Sequence, residues 1–178
     1  MHNEVLAFWF EEIEPKKWWA ADPEFDTHIK ERFAPLLARA AQGELFTWRK
    51  QPKGRLAEII VLDQFSRNIH RNTPAAFSQD PMALVLAQEA VSAGILESLS
   101  ATERPFLLMP YMHSESRFIH MQAENLFREH TSQNSHEFEL KHKAIVDRFG
   151  RYPHRNGILG RASTAEEIEF LKQPGSGF

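Results

Sequence analysis

Apolar positions recur at helical spacing from one end of the chain to the other. Val5, Leu6, Phe8, Trp9 and Phe10 predict a short, strongly apolar first helix. Pro15 predicts the start of a second, carrying Trp18 and Trp19. Asp22-Pro23 reads as an N-cap with proline at the first helical position, since Asp accepts from an orphan N–H and Pro has none to lose. Phe25, Ile29, Phe33, Leu36, Leu37 and Ala40 then fall at helical spacing, Pro35 should kink or break the run, and Gly43 is the expected stop. A fourth helix is predicted from about Arg55 to Asn68, and a fifth after the cap signal Asp80-Pro81 up to Gly94. Ser100 with Glu103 fits a capping box opening a helix towards Pro110. Phe118 to His130 and Ser135 to Phe149 give two more, and Ser163/Glu166 or Thr164/Glu167 caps a last one. The tail from Pro174 to Gly177 reads as irregular. No segment alternates as a strand does. The expected fold is all-α, built of antiparallel helix pairs in one compact domain over residues 1–178.

The fourth helix breaks the usual pattern. At ~100° per residue, Leu56, Ile59, Ile60, Val61, Leu62, Phe65 and Ile69 leave little of its circumference polar, as on a central, buried helix. Yet Asp63 and Arg67 fall on the same line as Leu56, placed to pair with each other, and Arg71 extends the row. Gln64 and Asn68 form a second polar row beside it. Buried charge is costly unless paired and hydrogen-bonded. The row is therefore either an internal brace or the floor of a ligand pocket, with Arg67 facing an anion and Asp63 orienting it.

Two further segments carry candidate chemistry. Pro110 should end or kink its helix near His113-Ser114-Glu115. His113 can serve as a general acid or base, and Glu115 can orient it or act alone. Ser114 lacks the surroundings of a nucleophile elbow and reads as an N-cap for the next helix. Farther on, His142 shares an inward face with Phe138, Ile145 and Phe149, which fits a core histidine as well as a catalytic one. Arg148, Arg151, His154, Arg155 and Arg161 then follow with no acidic residue between them. Such a segment either caps helix ends or cradles a phosphate or carboxylate, for which the arginine fork suits bidentate contacts.

Composition narrows the functions. The net charge is −3 and no basic stripe appears, so nucleic acid is not an expected partner. There is no cysteine, which removes disulfides, thiolate metal sites and a cysteine nucleophile together. No close histidine pair or H-E-x-x-H suggests a metal, and no glycine-rich loop or other feature suggests a cofactor. No apolar run approaches the ~20 residues of a membrane span, and the start Met1-His2-Asn3-Glu4 lacks a secretory pattern. A soluble, cytoplasmic protein is expected.

Leu62-Asp63-Gln64-Phe65-Ser66-Arg67-Asn68-Ile69, Thr73-Pro74, Ala76-Phe77 and Asp80-Pro81 resemble the bacterial DUF924 family. So do Pro110-Tyr111-Met112-His113-Ser114-Glu115 and the stretch from Arg148 to Asn156. Leu159-Gly160-Arg161-Ala162-Ser163-Thr164 and the Pro-Gly-rich ending agree with it too. Ser66, His70, Asn72 and Ser116 stand where that family usually has Pro, an aromatic, Gly and Asp. The resemblance implies a tetratricopeptide-like helical superhelix and no particular activity.

Three functions fit these residues. In the first, Asp63, Gln64, Arg67, Asn68, Arg151, His154 and Arg155 bind a small anionic ligand, with His113, Glu115 and His142 converging on the same pocket. In the second, that pocket catalyses hydrolysis or group transfer, with His113 or His142 as acid–base and Arg67 or Arg155 stabilising negative charge. In the third, the helices dock a peptide or protein and the polar motifs only brace them. Convergence of the motifs separates the first two from the third.

Overall fold

A computed structural model describes residues 1–177 of the chain. It is all-α, with no strand among the described residues. Helix α1 (His2–Ala7) runs on through a wide π turn at Phe8–Glu12, and a 3-10 turn at Pro15–Trp19 leads to α2 (Pro23–Ala41). Asp22 caps α2 as its sequence suggests, Oδ1 accepting from Glu24 N at 3.0 Å and Phe25 N at 3.2 Å. Gly43 ends it with φ +73°, a left-handed conformation that glycine adopts without a Cβ penalty. Pro35 does not break it: α2 continues through that position to Ala41.

The predicted central helix is a longer rod. It comprises α3 (Pro52–Ile60), a π turn at Val61–Phe65 and α4 (Ser66–Ile69). Every residue from Leu56 to Ser66 is buried. Around it lie α1, α2, α5 (Asp80–Ser92) and α6 (Arg104–Met112). The capping-box residues Ser100 and Glu103 precede α6 rather than open it. Glu103 reaches back to Ser100 N at 2.9 Å, and the helix begins at Arg104. Successive pairs α6–α7 (Arg117–His130) and α7–α8 (Gln133–Phe149) extend the stack. A 3-10 turn at Pro153–Arg155 precedes α9 (Ala165–Leu171), whose capping box is the Thr164/Glu167 alternative.

Aromatic rings weld the rod to α1 and α2. Phe33 sits 4.7 Å from Phe65 and 5.0 Å from Phe8 between ring centres, and Trp9 packs on Phe65 at 5.6 Å. Such pairs contribute about 0.5–1.5 kcal/mol each beyond their burial. A smaller cluster of Ile145, Val146 and Tyr152, with Phe149 and Phe170 against it, anchors the segment after α8. No helix among the described residues is long and apolar enough to cross a membrane.

Candidate functional site

The charged residues of the rod emerge where it meets the ends of three other elements. Asp63 lies in the π turn and Arg67 one turn later on α4. Asp80 begins α5, His113 follows the last residue of α6, and Arg155 ends the 153–155 turn. A π turn holds one residue more than an α turn, and such insertions are frequent at functional positions.

Arg67 is the hub. Its Nη1 donates to the Asp63 carbonyl at 2.8 Å and to Asp63 Oδ1 at 3.0 Å. The same guanidinium grips Asp80 with both arms, Nη1 to Oδ1 at 2.9 Å and Nη2 to Oδ2 at 3.0 Å. Asp63 is fully buried and also meets His113 Nδ1 at 2.7 Å and Gln64 Nε2 at 2.6 Å. Burial alone would raise its carboxyl, but Arg67 and His113 overcome this and hold it well below the usual carboxylate range.

Arg155 is the least satisfied member. Only 7% of its side chain is exposed, and among the described residues its one charge partner is Asp80, at 3.4 Å. Its Nε is buried with no hydrogen-bond partner among the described residues. The guanidinium lies 4.6 Å from the ring centre of Phe77 and 4.6 Å from that of Tyr152. The rings hold it through cation–π attraction, and the edge of the fork is left under-paired. Burial, and then Arg67 beside it, push its pKa down, so a further negative charge here relieves an electrostatic cost.

His142 and His154 flank this corner, their rings 5.8 and 5.5 Å from that of Tyr152. Burial pushes His142 down to about 3, and burial with Arg155 pushes His154 down to about 4. His113 is also lowered, by burial and then by Arg67, against the opposing pull of Asp63. All three are therefore neutral at neutral pH. His142 Nδ1 donates to the Phe138 carbonyl at 2.8 Å, on its own helix.

The structure thus brings Asp63, Arg67, His113, His142, His154 and Arg155 into one neighbourhood. Gln64 stands behind it, clamped between Asp63 and the Met109 sulfur at 3.3 Å. The other expected ligand residues turn elsewhere. Asn68 donates to Asp26 Oδ1 on α2 at 2.8 Å, where Arg71 also pairs with Asp26. Arg151 forks onto Glu167 of α9 at 2.6 and 2.8 Å. Glu115 accepts both arms of Arg161, at 2.7 and 2.9 Å, and Tyr152 N at 2.7 Å. These four brace helix to helix or helix to loop. Ser114 is not the cap of α7. That residue is Ser116, and Ser114 Oγ accepts from Ser116 N at 3.2 Å.

Asp80, Phe77 and Tyr152 belong to the site and were not expected there. Asp80 reads in sequence as a helix cap, but it is the first residue of α5 and its side chain makes no cap bond. Tyr152 is tied down by its hydroxyl, which donates to the Met112 carbonyl at 2.5 Å and lies 3.1 Å from His120 Nε2. His120 in turn meets buried Glu139 at 2.7 Å. Among the described residues, no three His, Asp or Glu side chains are placed to share a metal ion. A hollow of about 260 Å³ between α2 and the 69–79 segment is lined mainly by Ala34, Leu37, Ala41, Ile69 and Ala75, and by none of the charged residues of the cluster.

A family model for bacterial proteins of unknown function, DUF924, matches residues 5–175. The chain belongs to the DUF924 family. A solved structure of another protein of unknown function, from Agrobacterium tumefaciens, is similar to it with a TM-score of 0.91 and 34% sequence identity, over 96% of each chain. No functionally curated protein matches this DUF924 chain.

Proposed function

We propose that this DUF924 protein binds a small molecule through an anionic group seated on Arg155, at the corner formed with Arg67, Asp80, Phe77 and Tyr152. One observation carries the proposal: a guanidinium 7% exposed that has, among the described residues, a single 3.4 Å charge contact and a buried Nε left unbonded. A brace would resemble Arg67, which is fully engaged by two carboxylates. Charge balance favours a singly charged carboxylate over a phosphate dianion. Asp63 and Asp80 offset Arg67 and Arg155, and the histidines are neutral, so the corner has one under-used fork and no surplus of positive charge.

The test is a thermal-shift screen of the full chain against carboxylates and phosphate esters. A carboxylate that stabilises the wild type should lose about 10–100-fold in affinity with Arg155→Ala, the worth of a charge-assisted contact of ~1.5–3 kcal/mol. Arg155→Lys should recover only part of it, because Lys lacks the fork. Carboxylates that bind equally well to Arg155→Ala would sink the proposal.

A second reading draws on exposed Phe118, Met121 and Phe138 of α7 and α8, which fit a peptide-docking face on a tetratricopeptide-like stack of helix pairs. Under it, Phe118→Ser with Met121→Ser abolishes partner binding and leaves anion binding intact. Loss of both together rejects it.

A further inference from the structure

Asp63 does more than hold Arg67. An ionised carboxylate only accepts, so the 2.7 Å contact requires a proton on His113 Nδ1. In the neutral ring the lone pair then sits on Nε2. No described residue bonds that nitrogen, and the His113 side chain keeps 16% of its surface exposed. Gln64 and Arg67 fix the carboxylate from its other sides, so the ring is aimed by an acceptor that cannot swing.

His113 and Arg155 stand at opposite ends of one run of contacts: His113 to Asp63 at 2.7 Å, Asp63 to Arg67 at 3.0 Å, Arg67 to Asp80 at 2.9 Å, Asp80 to Arg155 at 3.4 Å. One end offers a lone pair, the other an under-paired fork. We infer that Asp63 and His113 form an acid–base dyad that activates water against an acyl bond in a ligand whose carboxylate rests on Arg155. The inference rests on the anion-site proposal above, and it names the reaction and the substrate class: a carboxylate-bearing ester or amide.

The step balances without a co-reactant. His113 Nε2 takes a proton from water while the water oxygen bonds to the acyl carbon and the carbonyl pair moves onto its oxygen. The adduct then collapses, the bond to the alcohol or amine breaks, and the imidazolium returns its proton to that leaving group. Asp63 stays ionised and balances the imidazolium. Water is the nucleophile because the side chains nearby are otherwise committed. The chain has no cysteine, the Tyr152 hydroxyl is held by Met112 O at 2.5 Å, and Ser114 Oγ faces Ser116 N. His113 is the catalytic residue and Asp63 positions it.

The probes are 4-acetoxybenzoate, which carries a carboxylate and a labile ester, and phenyl acetate, which has the ester alone. Wild type should release 4-hydroxybenzoate above the buffer rate. His113→Gln, checked for an unchanged melting temperature, should lower kcat by about 10²–10⁴-fold. Arg155→Ala should raise KM for 4-acetoxybenzoate more than for phenyl acetate. Among the described residues, the charged or titratable groups around the His113 ring are Asp63, Arg67, Asp80, His142 and His154. Of these, Asp63 raises its pKa by charge and hydrogen bond. Asp63→Asn therefore moves the acid limb of the pH–rate profile to lower pH and lowers the plateau, a signature that loss of packing alone does not give. If Asp63→Asn does not fold, His113→Gln carries the test. Equal rates for His113→Gln and wild type, or no cleavage of either ester, overturn the dyad. Benzoate in the thermal-shift assay separates the two ideas. Binding that needs Arg155 without any cleavage leaves the anion site and removes the dyad. Cleavage of phenyl acetate that needs His113, without any benzoate effect, leaves the dyad and removes the carboxylate substrate class.

Discussion

Arg155 and Asp63 are both buried charges, and they stand in opposite relations to the fold. Asp63 is answered on every side, by Arg67, His113 and Gln64. Removing it takes a buried partner from all three, so Asp63→Ala should cost about 3–5 kcal/mol, as broken buried pairs do. Among the described residues Arg155 is answered by one long contact and two ring faces, while Asp80 keeps the bidentate grip of Arg67 whether or not Arg155 is present. Arg155→Met fills the slot between Phe77 and Tyr152 with an apolar chain of similar length. It should leave stability unchanged or raise it by ~1 kcal/mol or more, while abolishing anion binding. Urea unfolding of the two variants measures both numbers. A loss above ~2 kcal/mol for Arg155→Met would make the arginine a brace and empty the site of its function.

At the scale of elements, local propensity and tertiary packing pull in opposite directions at the start of α3. Gly54 sits in the first turn, where alanine is the better helix former by about 1 kcal/mol. A Cβ there would lie 2.1 Å from the Trp48 carbonyl oxygen and 2.8 Å from its carbon, both backbone atoms that cannot step aside. Gly54→Ala should therefore destabilise, by about 1–3 kcal/mol or more, and a stabilising outcome in thermal denaturation would show that the 46–50 turn yields. The same contrast explains what the sequence discloses. Caps are local, so Asp22, Gly43 and Thr164/Glu167 are readable by eye. The rod is readable because it is apolar all round, and the Asp63–Arg67 pair because its members are one turn apart. Asp80 is 13 residues from Arg67 and imitates a cap, so its role appears only when α5 docks on the rod. Asn68 and Arg71 look like pocket residues until α2 brings Asp26 to them across 42 and 45 residues of chain. The π turn leaves no local mark, since its residues are ordinary helix formers held by packing.

For the whole molecule, the charged corner is where the rod, α5, α6, α8 and the 153–155 turn are joined, so its protonation state bears on the stability of all of them. His113, His142 and His154 have folded pKa values below the ordinary histidine value of 6.5, chiefly through burial. The folded protein then binds fewer protons than the unfolded chain once the pH drops below 6.5. Their contribution is complete above that pH and is lost as pH falls towards about 4 for His154 and about 3 for His142. Each histidine removes up to about 1.4 kcal/mol per pH unit inside its window. Glu139 works the other way. Burial raises its carboxyl above the usual 4.5, so its contribution is present at low pH and lost as pH rises through the folded value. Three groups against one leave a net loss on acidification. The urea midpoint should fall between pH 6.5 and 5.5 by the equivalent of at least ~1 kcal/mol, before ordinary surface carboxylates begin to titrate. His142→Gln should flatten that slope, because one of the titrating rings is gone. If stability stays level or rises over the interval, burial does not depress these rings in the folded protein, and if the variant keeps the wild-type slope, His142 is not among the groups that set it.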